Sequence, residues 1–289
     1  MITKKENTIS FFGEGCKKCS RKFDCISATS VTSDLRKYLL KVNGYQQKPT
    51  IYMSQGKAMH KKEQIGIKTL DEYGIDKFKE DFYRGKQITL SEVKVCSPKY
   101  GFRGIIDILE IKFDKDNNIT IKIRELKKKW WDSYITQIAI YGLIFSDRDM
   151  CFYYEKKGRK KVKLMPFKVY PKIDFNLNIY CTLEMLEVKK TYAFTFMENN
   201  LISDQMSGIS VDAINKANLR RVFHKRGIYY IENTPPCKFC MGNSDYCSLW
   251  EICSKVNYEE ERKQKQMYLG KRKTLTKTKP ILYKEVRLK

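Results

Sequence analysis

Apolar residues recur along this chain with two different periods, and the switches between them set out an order of elements. A hydroxyl-rich stretch, Ile26-Ser-Ala-Thr-Ser-Val-Thr-Ser, precedes a more apolar run to Leu40, which marks a helix start. Residues 54–80 carry helical spacing, with His60 in the first turns. From 91 to 127 the pattern becomes the alternation of a β-meander rich in isoleucine. Helical spacing returns over 132–146, and residues 150–170 read as a hairpin turning near Lys157-Gly158. Two more helices are expected, over 176–190 and, after Ser207-Gly208, over 207–220. Helix, sheet, helix, strands and helix in that order predict an α/β chain whose mixed central sheet is flanked by helices. No repeat spans the chain.

The meander holds the most informative pattern. Gly101-Phe-Arg-Gly-Ile-Ile-Asp107-Ile-Leu-Glu-Ile-Lys-Phe113 and Ile119-Thr-Ile-Lys-Ile-Arg-Glu125-Leu-Lys127 flank the polar turn Asp114-Lys-Asp-Asn-Asn118. Centring the turn on Asp116 sets Ile111 opposite Ile121, Leu109 opposite Ile123 and Asp107 opposite Glu125, all on one face. Glu110 then meets Lys122 on the other face. Two carboxylates side by side repel unless a cation lies between them, and hard oxygen donors suit Mg²⁺ or Mn²⁺. Lys127 follows Glu125 by two residues and points to the same side. Its ammonium can hold a nucleophilic water or balance the charge of a phosphate, while such a metal ion acidifies bound water.

Composition narrows the partner. The 289 residues carry a formal net charge of +24, which favours a polyanion, nucleic acid before an anionic membrane surface. The longest apolar stretch, Ile135 to Phe145, is interrupted by Thr136 and Gln137 and falls short of the roughly 18 to 20 apolar residues of a spanning helix. Met1 to Ser10 is polar and lacks the apolar centre of an export signal, so a cytoplasmic protein with reduced thiols is expected. Of the ten cysteines, Cys96, Cys151 and Cys181 lie in apolar stretches and read as core thiols. The others cluster at 16–25 and 237–253, as metal ligands do in a reducing compartment.

With these elements in hand, the chain resembles the PD-(D/E)XK superfamily and, within it, the RecB-like nucleases. The resemblance rests on Gly104 and Asp107 on one strand, Glu125-Leu-Lys127 on the next, Gly56-Lys-Ala-Met-His60 upstream and Gln137-Ile-Ala-Ile-Tyr141 downstream. It covers roughly residues 26–253. It implies a restriction-endonuclease-like core with Asp107, Glu125 and Lys127 as the catalytic set. His60 would join Asp107 and Glu125 as a third ligand to Mg²⁺ or Mn²⁺, and Gln137 and Tyr141 would face the cleft and position DNA. Ile135, Ile138, Ala139 and Gly142 on the other helix face would pack on the sheet. Glu92 is a possible helper, and Trp130 and Trp131 either stack on bases or belong to the core.

Several RecB-like exonucleases, the CRISPR-associated ones among them, hold a 4Fe-4S cluster on one N-terminal and three C-terminal cysteines. Here that implies Cys25 with Cys237, Cys240 and Cys247, a cysteine-rich region joining the two ends of a nuclease domain over 1–261. Cys16 or Cys19 is an alternative N-terminal ligand, and Cys253 could complete a local site with Cys237, Cys240 and Cys247. Zn²⁺ is the alternative to the cluster. A basic tail, 262–289, either extends phosphate contacts or is a solvated end. The expectation is a metal-dependent deoxyribonuclease, by resemblance an exonuclease on single-stranded DNA. It would act in CRISPR adaptation or in viral or cellular recombination, replication or repair, with a partner such as an integrase or helicase. The competing expectation is a DNA-binding protein on a nuclease fold, with no turnover and with a structural zinc or Fe-S site.

Overall fold

The computed structural model describes residues 25–33, 35, 38, 51–114, 118–154, 162–164 and 176–225. Cys16, Cys19, Cys237, Cys240, Cys247, Cys253, the turn at Lys157-Gly158 and the basic tail lie outside the described residues. The elements are β1 (Ile26–Ser27), α1 (Ala28–Thr32), α2 (Ile51–Glu63), α3 (Leu70–Tyr73), α4 (Ile75–Tyr83), β2 (Ile88–Ser97), β3 (Phe102–Phe113), β4 (Ile119–Lys127), α5 (Ser133–Ser146), β5 (Cys151–Tyr154), β6 (Val162–Leu164), β7 (Leu177–Met185), β8 (Lys190–Glu198), β9 (Leu201–Ile202) and α6 (Asp204–Lys225).

The strands form one mixed sheet in the order β6-β5-β2-β3-β4-β7-β8-β9, with β1 added in parallel to β3. The expected meander is β2, β3 and β4, and β5 and β6 form the expected antiparallel pair. β4 and β7 run parallel, so the chain between them must cross over, and it does so through α5, β5 and β6.

Local chemistry explains several boundaries. Ser27 caps α1, its hydroxyl accepting from the Ser30 amide, as the hydroxyl-rich stretch foretold. The single helical stretch expected over 54–80 is instead three helices. Thr69 and Glu72 form a reciprocal capping box that starts α3, and Gly74 at φ 86° ends it and opens α4. Asp81, buried on α4, accepts from the Tyr73 hydroxyl at 2.7 Å, Lys77 at 2.6 Å and Lys86 at 2.8 Å, which ties this helical corner together.

The helix expected over 176–190 is a strand. Leu177, Ile179, Cys181, Leu183 and Met185 are all buried and occupy every second position, so their period is two. Each pairs with β4 on one side, and the chain then turns through Lys189 into β8.

The core sits on the sheet beneath α5. From Thr136 to Phe145 every residue of this helix is buried, because α5 packs against β2, β3, β4, β7 and β8 and also against α1 and α6. Fully burying Ile138, Ile140, Leu143 and Ile144 stabilises the fold by about 1.5–3 kcal/mol each. Gly142 allows close approach, since a Cβ there would stand 2.2 Å from the Phe196 ring on β8. Helix α2 is different. Nearly all of it is exposed, including Ile51 and Met53, and it meets the sheet through polar side chains. Cys96, Cys151 and Cys181 are buried, as expected of core thiols.

Candidate active site

The β3–β4 hairpin has the expected register. Ile111 pairs with Ile121, Leu109 with Ile123 and Glu110 with Lys122. The ion partners of Glu110 are nevertheless Arg124 at 3.5 Å and Lys112 at 3.9 Å, because Arg124 also reaches across to Glu184 on β7 at 2.6 Å. The ladder stops at Ile108 and Arg124, and beyond that pair the two strands part. Asp107 and Glu125 stand in the opening of this fork.

Each carboxylate there is held by the backbone of the opposite strand. The Asp107 amide donates to Glu125 Oε1 at 3.3 Å, and the Leu126 amide donates to Asp107 Oδ2 at 2.9 Å. The strands stay joined through side chains where their own ladder has ended. Lys127 Nζ donates to Glu125 Oε2 at 2.7 Å and lies 5.0 Å from the centre of the Tyr134 ring. From α2, His60 Nδ1 stands 3.4 Å from Asp107 Oδ1. Gln64, one turn on, donates to the Asp107 carbonyl at 2.9 Å. The Lys128 ammonium donates to Gln55 at 2.6 Å and fastens the other end of the same helix.

Helix α5 closes the fork from within. Gln137 Nε2 donates to Glu125 Oε2 at 3.1 Å and to the Tyr141 hydroxyl at 2.9 Å. That hydroxyl donates to the Ile105 carbonyl at 2.7 Å, which the departing β4 leaves without a ladder partner. Gln137 and Tyr141, expected to face a cleft and position DNA, both lie inside this network. They are 4% and 1% exposed, and they hold Glu125 and β3. Gly104 makes room for this, since a Cβ on it would stand 2.3 Å from Tyr141 Cε1.

Two residues of this network were missed in the sequence. Tyr134 is three before Gln137 and seven before Tyr141, so the three form one stripe on α5. Gln64 is four after His60, the same face spacing. The other candidates lie apart from the network. Glu92 occupies the register position opposite Asp107 with φ 50°, is exposed, and makes no ion pair among the described residues. Trp130 packs 4.4 Å from Tyr192 and donates to Asp132, whereas Trp131 is largely exposed. Cys25 is buried, its thiol 3.9 Å from the Phe102 carbonyl.

Burial sets the charges. It pushes the Glu125 carboxyl up, against the pull of the Lys127 ammonium and with the help of the Asp107 charge. Burial pushes Asp107 up as well. Its hydrogen bond with His60, the Lys127 charge and the Leu126 amide outweigh that and hold it below the usual carboxylate value. Lys127 is held above its usual value, because Glu125 and Asp107 outweigh the burial that opposes its charge. The two neighbouring carboxyls are thus shifted in opposite directions, Glu125 upward and Asp107 downward.

The donor set is two carboxylates, whose hard oxygens suit ions such as Mg²⁺ or Mn²⁺, and an imidazole, which suits softer divalent ions such as Zn²⁺. Each carboxylate oxygen here accepts one or two hydrogen bonds, and those accepting one, Asp107 Oδ1, Asp107 Oδ2 and Glu125 Oε1, retain a lone pair. The residues fit such an ion in kind. Among the described residues, however, no three His, Cys, Asp or Glu side chains are gathered closely enough to hold a metal. Lys127 supplies the positive charge that Glu125 needs.

No family profile matches the chain, and no curated protein sequence resembles it significantly. The crystal structure of SSO0001 is a distant neighbour, with a TM-score of 0.32 and 11% identity over 81% of this chain and 87% of that one. A likeness of that degree carries no argument about fold or function.

Proposed function

We propose that the chain is a divalent-metal-dependent deoxyribonuclease with a RecB-like PD-(D/E)XK core. The observation that carries this reading is the fork of β3 and β4, where Asp107, Glu125, Lys127 and His60 converge at the end of an otherwise apolar hairpin face. His60, Asp107 and Glu125 would hold Mg²⁺ or Mn²⁺, which when bound acidifies water and screens a phosphodiester. Lys127 already lies within hydrogen-bond distance of Glu125, so its ammonium can pass to a phosphate oxygen or a water once Glu125 is otherwise compensated. Gln137 and Tyr141 keep Glu125 in one orientation, and Gln64 does the same for the Asp107 backbone.

The substrate in this reading is DNA, single-stranded by resemblance, cut from an end. CRISPR adaptation, recombination, replication or repair is the setting, with an integrase or helicase as partner. The cysteines would hold a 4Fe-4S cluster, or Zn²⁺, on Cys25, Cys237, Cys240 and Cys247, with Cys16, Cys19 and Cys253 as alternatives. Iron and zinc content with visible absorbance distinguishes the two, since zinc has no such transitions.

A second reading is a DNA-binding protein without turnover. It is favoured by one observation: Glu125 is 1% exposed and both its oxygens are engaged. The test is cleavage of end-labelled single-stranded DNA in Mn²⁺ or Mg²⁺ by protein purified without oxygen, beside Lys127→Ala. Cleavage by wild type alone supports the nuclease. Binding by both with cleavage by neither overturns it in favour of the second reading.

A further inference from the structure

Asp107 shares its face of β3 with the two residues before it in the alternation, Arg103 and Ile105. Side chains alternate along a strand, so Arg103, Ile105 and Asp107 lie on one side, about 6.6–6.8 Å apart in sequence steps of two. Lys94 on β2 is the cross-strand partner of Ile105, and Cys96 is the partner of Arg103. Partners in an antiparallel pair share a face, so Lys94 stands beside Ile105. The row reads cation, aliphatic residue with a second cation beside it, then the Asp107 carboxylate.

Ile105 is 51% exposed although β3 is a central strand. Helix α5 packs on the opposite face here, where a Cβ on Gly104 would meet Tyr141, so Ile105 projects away from it. β4 leaves β3 at Ile108 and β1 joins it only at Phe102 and Arg103, so the edge between them is closed by α5 side chains from the inner side. Lys94 and Arg103 are half-buried, and among the described residues neither makes an ion pair. Two cations without a carboxylate partner flanking an exposed aliphatic side chain suit an anionic ligand with a regular charge repeat and an apolar component. A single nucleic-acid strand has both. The excess of +24 across the chain points the same way.

We propose that this face of β2 and β3 is a track for one nucleic-acid strand leading to or from Asp107. Lys94 and Arg103 take phosphates on either side of a nucleotide whose base rests on Ile105. The track rests on the nuclease reading, for it defines the nucleotides next to the bond that would be cut.

Binding is measured by anisotropy of labelled single-stranded DNA with the full chain and no divalent metal, so that cleavage plays no part. Lys94→Gln with Arg103→Gln should lower the slope of log affinity against log salt by about 1.4, two contacts at roughly 0.7 each. Ile105→Thr keeps the β-branched shape and should weaken binding of a normal strand several-fold while leaving an abasic strand unchanged. Lys190→Ala, on β8 towards the far edge of the sheet, should leave the slope as it is. Should the double variant fold poorly by circular dichroism, Lys94→Gln alone should lower the slope by about 0.7. An unchanged slope in folded variants, or no binding by wild type, overturns the track. Reduced slopes in a chain that never cleaves with Mn²⁺ leave the track standing and remove the nuclease.

Discussion

Gly104 lies against the Tyr141 ring, and adding one methyl group there perturbs the candidate site from its buried side. In Gly104→Ala the new Cβ would stand 2.3 Å from Tyr141 Cε1 and 3.2 Å from both Cδ1 and Cζ. Tyr141 has nowhere to retreat: it is buried, and its hydroxyl is fixed by Gln137 and the Ile105 carbonyl. Overpacking of this kind costs about 1–3 kcal/mol. Displacing the ring also breaks the bond to Ile105, worth about 1 kcal/mol. The sum, about 2–4 kcal/mol, corresponds to a fall in Tm of roughly 5–15 °C for a domain of this size. Thermal denaturation followed by circular dichroism reads it directly. The decisive comparison is Tyr141→Leu alone and combined with Gly104→Ala. Leucine removes the atoms that clash, so the two changes together should cost at least about 1 kcal/mol less than their sum. A Tm shift of less than about 2 °C in Gly104→Ala, or strict additivity, would refute the packing argument.

Other expectations follow from the same contacts. Gln137→Leu keeps the side chain's bulk but removes the donor to Glu125, so DNA cleavage in Mn²⁺ should fall roughly 10–100-fold while circular dichroism stays native. Equal cleavage by this variant would show that Glu125 needs no help from α5. Asp81 gives a pH dependence. Hydrogen bonds from Lys77, Lys86 and Tyr73 hold its carboxyl well below the ordinary value of 3.8. A depressed folded value adds stability above pH 3.8 that is lost as the pH falls through the folded value. Wild type should therefore lose more Tm than Asp81→Asn on going from pH 5 into that acid window, as a differential-scanning series would record.

Some of this architecture was legible from residue patterns and some was not, for identifiable reasons. The hairpin register followed from one polar turn between two alternating apolar runs, because slipping either strand by one residue would turn Ile111 and Ile121 out of the core. That the ladder ends at Ile108 and Arg124 was not legible, since the departure of β4 depends on α5 filling the fork. Gln137 and Tyr141, four residues apart on one helix face, were expected to face a cleft and position DNA. In a chain where α5 is covered by the sheet on one side and by α1 and α6 on the other, the same two residues become buried positioning groups. The 177–185 strand was misread despite its period of two. The parallel pairing to β4 that decides the matter is remote in sequence.

The parallel neighbour of β4 carries a consequence for how the molecule is made. β4 meets β3 across a short turn, but its other edge is covered by Leu177–Met185, about fifty residues further on. During synthesis the hairpin can therefore close well before that edge has a partner. In the interval Ile119, Ile121 and Ile123 line an uncovered strand, which is the form of backbone that pairs readily with another chain. Translation speed across residues 128–185, and chaperone occupancy while that stretch emerges, thus bear directly on how much of this protein reaches its native state rather than an aggregate.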